Sequence, residues 1–147
     1  LPFKIEADRW SHIVMSPASN RDSLLQAEIQ NLLGTHCATG YAFAECSIQT
    51  SEGVKVADVA WGSDEFFRRH GTANPYPAAP EIVVEVASPT NSVAELMEKK
   101  ALYLFTGARE VWLCSDDGAV RFFDQQTELE ASALIPTFPA RVRLPVG

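Results

Sequence analysis

The chain has 147 residues, 46% of them apolar, which predicts a single domain over residues 1–147 with one hydrophobic core. Its formal net charge of −7 disfavours tight, indiscriminate binding to nucleic acid, because that affinity comes mainly from basic groups, but it does not exclude a nuclease that holds Mg²⁺. No apolar run reaches the roughly 18 residues that cross a bilayer, and the three cysteines form no C-x-x-C pair, so we expect a cytoplasmic protein with reduced thiols, no membrane contact and no structural zinc.

The first predicted elements are a short extended run at residues 12–15 and a helix that begins near Asp22. The segment S-P-A-S-N supplies good helix starters, and Gly34 is placed to end the helix. The predicted buried face consists of apolar residues at helical spacing, namely Leu24, Leu25, Ile29, Leu32 and Leu33. Glu28 falls on the same stripe, where a carboxylate must be paired, protonated or bound to a metal. The alternative is that the helix is rotated slightly and leaves Glu28 at a solvated edge.

Two antiparallel strands are predicted next, over residues 41–49 and 54–61, around the turn at residues 51–53. Asp58 interrupts the second strand, although aspartate is depleted in strands, and its apolar neighbours predict that it is at least half buried. A purely structural role for Asp58, such as capping a turn, is the alternative. The long segment at residues 62–79 predicts a functional lid or a disordered loop.

The run E-I-V-V-E-V-A at residues 81–87 predicts a strand buried on both faces, with Glu85 deep within it. Ser92 and Glu95 fit a capping box at the start of a helix that Gly107 closes. Helical spacing predicts an inward face formed by Val93, Leu96, Met97, Ala101, Leu104 and Phe105. A hairpin over residues 109–114 and 119–124 and a terminal strand complete a mixed sheet, which predicts an α/β or α+β domain.

Asp58 and Glu85 place two carboxylates on strands, and Lys99 and Lys100 follow on the next helix. Hydrolysis of a phosphodiester requires a nucleophilic water, stabilisation of negative charge and help for the leaving group, and carboxylate-bound Mg²⁺ or Mn²⁺ supplies much of all three. A nearby lysine can orient or help deprotonate the water. Lys100 projects close to the centre of the apolar stripe and Lys99 lies to one side, so either amine could reach the acids.

The chain contains V-A-D-V-A-W, P-E-I-V-V-E-V-A-S-P-T and E-L-M-E-K-K-A-L-Y-L-F-T-G-A-R-E-V-W-L. Together with the opening E-A-D-R-W-S-H-I-V-M-S-P-A-S, these segments resemble the Uma2 family, which is common in cyanobacteria and belongs to the PD-(D/E)XK nuclease fold. The resemblance implies a restriction-endonuclease-like mixed β-sheet core flanked by helices. It also implies that Asp58 and Glu85 bind metal, that Lys99 is the catalytic lysine, and that Glu28 is a further metal ligand on the first helix.

The chain departs from that pattern at three positions. Ala87 stands where the wider fold carries its lysine, so the resemblance implies that the amine has moved to the following helix. Ala57 replaces the usual proline before the first acid. Asn20 stands near a place where Uma2-like sequences often have histidine.

The resemblance implies a Mg²⁺-dependent endonuclease that cleaves phosphodiester bonds in DNA and, by analogy with nucleases that cut both strands, a homodimer. The alternative is a catalytically inactive nuclease-fold protein that acts as a homodimeric interaction or regulatory module. A hydrolase of another phosphate ester would use the same residues and differ only in substrate.

Overall fold

A computed structural model describes residues 3–10, 13–17 and 19–145 of the chain. Within these residues the helices are α1 (Asn20–His36), α2 (Asp64–His70) and α3 (Val93–Phe105). The strands are β1 (Phe3–Ala7), β2 (Ile13–Pro17), β3 (Tyr41–Thr50), β4 (Gly53–Gly62), β5 (Ile82–Val86), β6 (Glu110–Cys114), β7 (Val120–Phe123) and β8 (Glu128–Leu129). The extended run predicted at residues 12–15 corresponds to β2, and His12 lies outside the described residues.

The strands β3 to β8 form a six-stranded sheet in which their order in space follows their order in the chain. β5 and β6 run parallel, and the other neighbouring pairs of this sheet are antiparallel. Parallel pairing requires a crossover connection, which α3 provides between β5 and β6. β1 and β2 form a separate antiparallel pair, and β1 lies against β4. The predicted mixed sheet flanked by helices is confirmed.

The two faces of the sheet are covered by different helices. α1 buries Leu25, Ile29 and Leu33 in the core on one face. On the other face, Tyr103 of α3 belongs to a second core cluster. β5 is buried along its whole length because its alternating side chains enter both cores. Across the described ranges, no helix is both long and apolar enough to span a membrane.

The first helix starts where the sequence predicts but ends later. Ser19 is the N-cap, and its side chain accepts a hydrogen bond from the backbone N–H of Asp22. Gly34 does not end the helix, which continues to His36. The reason is tertiary, since Leu33 is completely buried and its carbonyl accepts the Cys37 N–H at 3.0 Å, so packing outweighs the preference of glycine for a helix end.

The segment at residues 62–79 is neither a lid nor a disordered loop, so that prediction is wrong. It contains α2, which Ser63 caps at its N-terminus. Phe66 and Tyr76 are both buried, and their ring centroids are 5.0 Å apart. The backbone of Tyr76 also exchanges hydrogen bonds with Ser47 and Gln49 of β3. Aromatic packing and these bonds fix the segment against the sheet.

The inward face predicted for α3 is wrong at three of its six residues, since Val93, Ala101 and Phe105 are exposed. Val93 and Phe105 are 72% and 82% exposed, whereas Tyr103 is completely buried. The predicted cap is correct, since Ser92 Oγ accepts the N–H of Glu95 at 3.1 Å. α3 packs on β6, and this contact orients the face containing Tyr103 towards the sheet.

Candidate active site

β4 and β5 part at the two strand acids. Their antiparallel pairing ends with Val59 opposite Val84, and the next residues along the two strands are Asp58 and Glu85. At this point the two strands are joined by hydrogen bonds from backbone N–H groups to the carboxylates of the two acids. The Asp58 N–H donates to Glu85 Oε2 at 3.3 Å, and the Val86 N–H donates to Asp58 Oδ2 at 2.7 Å. The two acids therefore lie next to each other where the strands separate.

A local irregularity in β4 places Asp58 there. Ala57 belongs to the core on the α3 side and Val59 to the core on the α1 side, although a regular strand would put residues two apart on one face. The register of β3 and β4 puts Asp58 opposite Glu45, whose φ of 57° is uncommon for a residue other than glycine. This distortion takes Asp58 out of the alternation and allows its carboxylate to accept a hydrogen bond from the backbone of β5.

Lys99 of α3 contacts two of the buried carboxylates. Its Nζ lies 3.1 Å from Glu85 Oε1 and 2.9 Å from the carboxylate of Glu6 on β1. Glu6 Oε2 also accepts the Val56 N–H at 2.8 Å, which ties β1 to β4. Glu85 is 1% exposed, and Glu6 and Asp58 are 7% exposed. Burial of carboxylates is costly without charged or hydrogen-bonding partners, so the ammonium of Lys99 stabilises this group of acids.

The structure distinguishes the two lysines of α3 by their neighbours. Lys99 lies among the acids, whereas Lys100 Nζ lies 4.6 Å from the centroid of the Phe123 ring. Such placement of an ammonium over an aromatic face is a favourable cation–π contact. The amine that contacts Glu85 and Glu6 is therefore that of Lys99.

From α1, the residue that reaches the acids is Gln26, whose Nε2 donates to Asp58 Oδ1 at 3.1 Å. Glu28 is half buried and lies roughly 200° around the helix axis from Gln26, at about 100° per residue. The described contacts do not bring Glu28 to Asp58 or Glu85. The buried acid on the same face as Gln26 is Asp22, one helical turn earlier.

Tyr103 follows Lys99 by four residues and therefore lies on the same face of α3. The residue is completely buried, and within the described part of the chain its Oη has no hydrogen-bond partner. Burial raises the pKa of Tyr103 well above its usual value, and the negative charges of Glu85, Glu6 and Asp58 raise it further. The hydroxyl is therefore a buried, unbonded donor within range of the charges of these acids.

A cavity of about 250 Å³ adjoins this group of side chains. Glu6 and Lys99 line it together with other charged side chains, including Arg9 and Lys55. Among the residues that the structure describes, no three His, Cys, Asp or Glu side chains form a cluster suited to a metal ion. A cation between the strands would thus depend on the two carboxylates of Asp58 and Glu85 and on water, which suits Mg²⁺, an ion that prefers oxygen ligands and keeps several waters.

Sequence reasoning missed Glu6, Gln26 and Tyr103. Glu6 lies on a strand that was not predicted and reaches the acids only because β1 lies against β4. Gln26 reaches Asp58 only at one rotation of α1 about its axis, and helical spacing in the sequence does not specify that rotation. Tyr103 could have been found, since a residue four positions after a candidate lysine shares its helical face.

Comparison with known proteins adds a family and a fold. The model of the Uma2 family, described as "Putative restriction endonuclease", matches residues 6–146. The fold is similar to the crystal structure of a "putative nuclease belonging to DUF820" from Anabaena variabilis ATCC 29413, with a TM-score of 0.72 and 22% identity. That alignment covers 87% of this chain and 77% of the other. Among curated proteins, none matches the chain.

Proposed function

We propose that this chain, which belongs to the Uma2 family, is a divalent-metal-dependent nuclease that hydrolyses phosphodiester bonds in DNA. The observation that supports this most directly is the position of Asp58 and Glu85 where β4 and β5 separate, with Lys99 Nζ 3.1 Å from Glu85 Oε1. Two acids and an amine at one point are the groups that metal-assisted hydrolysis of a phosphodiester requires.

In this proposal Asp58 and Glu85 hold Mg²⁺ or Mn²⁺. Their oxygen donors fit a hard cation, whereas zinc sites are usually built from Cys and His. When bound, the ion supplies Lewis acidity and offsets the charge of the phosphate. Gln26, not Glu28, is the residue of α1 that donates to Asp58, so Glu28 has no direct part in the proposed ligand set, and a Glu28→Gln variant should keep the Mn²⁺ affinity of the wild type.

In this proposal Lys99 donates a hydrogen bond to the attacking water or to a phosphate oxygen of the substrate. An ammonium has three N–H donors, and in the described contacts Lys99 uses two of them to donate to Glu6 and Glu85. The remaining N–H is available for the attacking water or a phosphate oxygen, at the edge of the cavity that Lys99 lines. A fixed ammonium there stabilises the negative charge that develops during phosphodiester cleavage.

Substitution of the first strand acid tests the proposal. We expect Mn²⁺ to raise the melting temperature of the wild-type protein and to support cleavage of plasmid DNA. Asp58→Asn should abolish the thermal shift and lower the cleavage rate by about 100-fold or more, the effect expected from removing one essential electrostatic group. Asp124→Asn is the control, because Asp124 is half buried in a turn and lies at the opposite end of the sheet.

The substrate is tested in the same assay. Cleavage of bis(p-nitrophenyl) phosphate but not of DNA or RNA, lost in Asp58→Asn, would indicate a hydrolase of another phosphate ester. Wild-type protein that neither binds Mn²⁺ nor cleaves any of these substrates would contradict the nuclease proposal.

A second candidate function is a non-catalytic, homodimeric interaction module. This candidate is the alternative expected from the sequence, and the ring of Phe105 on α3, which is 82% exposed, gives a position at which to test it. Light scattering after size-exclusion chromatography should then give a dimer that Phe105→Asp converts to a monomer. A monomeric wild-type protein with metal-dependent cleavage would argue against this candidate.

A further inference from the structure

We infer that Tyr103 is a positioning residue whose hydroxyl donates a hydrogen bond to the carboxylate of Glu85 when a divalent cation is bound. This inference rests on the proposed function, because it concerns the same group of acids. It adds a residue that does not touch the substrate and acts through Glu85.

The first observation is the isolation of the hydroxyl. Tyr103 is 0% exposed, and within the described part of the chain its Oη has no hydrogen-bond partner. A buried hydroxyl without a partner costs free energy, and the great majority of buried polar atoms in proteins are hydrogen-bonded. Phenylalanine would fill the same space without that cost. The hydroxyl therefore needs an explanation beyond packing.

The second observation is the surroundings of that hydroxyl. The carboxylates of Glu85, Glu6 and Asp58 all act on Tyr103 through their charge, and Glu85 has the largest effect of the three. Tyr103 also lies one helical turn after Lys99, whose Nζ contacts Glu85 Oε1 at 3.1 Å. Helical spacing thus puts Tyr103 on the same side of α3 as the amine that contacts Glu85, within range of the charge of that carboxylate.

Binding of a cation would change which hydrogen-bond donors Glu85 has. A divalent ion held by Asp58 and Glu85 would repel the ammonium of Lys99 and compete with it for the Glu85 oxygens. The contact between Lys99 and Glu85 would then weaken, while the contact with Glu6 would still hold the ammonium in place. Carboxylates that bind metals are themselves oriented by hydrogen bonds from neighbouring groups. The Tyr103 hydroxyl, buried on the same face of α3 as Lys99, would supply that bond, so cation binding would exchange one donor to Glu85 for another.

The test compares two tyrosines of the same core cluster. Tyr76 Oη donates to the Gly71 carbonyl at 2.8 Å, so its hydroxyl is partnered, and it lies outside the group of acids. Tyr103→Phe and Tyr76→Phe remove the same atom from the two positions. Thermal unfolding without metal and calorimetric titration with Mn²⁺ are measured for both variants and for the wild type.

We expect Tyr103→Phe to unfold without metal at the wild-type temperature or higher, because no hydrogen bond is lost. Its Mn²⁺ affinity should fall by about 10-fold, at the lower end of what loss of a group that orients a ligand produces. Tyr76→Phe should show the reverse, with a lower melting temperature and an unchanged Mn²⁺ affinity.

Two results would overturn the inference alone. One is a wild-type protein that binds Mn²⁺ and a Tyr103→Phe variant that binds it equally well. The other is a metal-free Tyr103→Phe variant that melts well below the wild type, which would mean that the hydroxyl is already bonded. A wild-type protein without affinity for Mn²⁺ would instead overturn both this inference and the proposed function.

Discussion

Glu85 and Glu110 are both almost completely buried, at 1% and 2% exposure, and they lie on the neighbouring strands β5 and β6. Glu85 is near the carboxyl end of its strand, beside Asp58 and the ammonium of Lys99. Glu110 is the first residue of its strand, at the opposite end of the parallel pair. The two glutamates thus have the same burial and different surroundings.

Glu110 accepts four hydrogen bonds from neutral donors. Trp112 Nε1 and Ser132 Oγ donate to one carboxylate oxygen, at 2.8 and 2.7 Å. The backbone N–H groups of Ala133 and Leu134 donate to the other, both at 2.9 Å. This carboxylate fixes the segment after β8 to the start of β6, and no other acid lies among its described partners.

The comparison shows that burial alone does not identify a functional acid. A carboxylate surrounded by neutral donors, such as Glu110, is satisfied by the folded chain and serves the fold. A carboxylate grouped with two other acids and one ammonium, such as Glu85, lies in a charged environment that is suited to a cation. The kind of partner therefore carries the functional information.

Substitution of both glutamates by glutamine tests this distinction and should give the largest effect. Glu110→Gln replaces one acceptor oxygen by an amide N–H₂ group that faces N–H or O–H donors. We expect the free energy of unfolding to fall by about 3 kcal/mol, since each buried group left unpaired costs about 1–3 kcal/mol. Glu85→Gln should lose less, because it removes repulsion with Asp58 and Glu6, but it should abolish Mn²⁺ binding. Urea unfolding and Mn²⁺ titration measure the two effects.

Equal losses of stability in the two variants, together with unchanged Mn²⁺ affinity in Glu85→Gln, would break the comparison. Glu85 would then be a structural acid like Glu110. The candidate site would lose its central residue.

The two adjacent lysines of α3 sharpen the comparison with a smaller effect. Lys99→Met removes the ammonium that contacts Glu6 and Glu85. We expect the free energy of unfolding to fall by about 2 kcal/mol. This is less than the roughly 3–5 kcal/mol expected for a fully buried pair, because the Lys99 side chain is 16% exposed. Lys100→Met loses the contact with Phe123, worth about 0.5 kcal/mol, and an attraction to the exposed Glu128. DNA cleavage should disappear in the first variant and persist in the second. Chemical unfolding and the plasmid assay check both, and cleavage by Lys99→Met would exclude a catalytic role for this amine.

The smallest expected effect concerns an exposed acid, Asp117 in the turn between β6 and β7. Hydrogen bonds from Ser115, the Ala119 N–H and Arg141 lower the pKa of Asp117 from 3.8 to about 2. Because the folded-state pKa is below the unfolded one, this carboxylate contributes stability above pH 4, and the contribution disappears as the pH falls towards 2. The difference in urea midpoint between the wild type and Asp117→Asn should therefore shrink over that interval. If the difference in urea midpoint did not depend on pH, the charge of Asp117 would make no contribution to stability.

Local patterns in the sequence determine much of the fold. The apolar run at residues 81–87 indicates β5, Ser92 and Glu95 locate the start of α3, and the mixed sheet follows from the order of the elements. Asp58 and Glu85 stand out as candidates because carboxylates are rare inside apolar strands. These features depend on neighbours in the chain, so one sequence is enough to predict them.

Tertiary packing decides the rest of the site. Glu6 reaches Lys99 because β1 lies against β4, and Gln26 rather than Glu28 reaches Asp58 because α1 is rotated to bury Leu25 and Ile29. The sequence alone left Lys99 and Lys100 as alternatives, and the docking of α3 on β6 brings Lys99 to the acids. Such contacts join residues far apart in the chain. Their geometry depends on how whole elements pack, and no local periodicity specifies the rotation of a helix to within one residue.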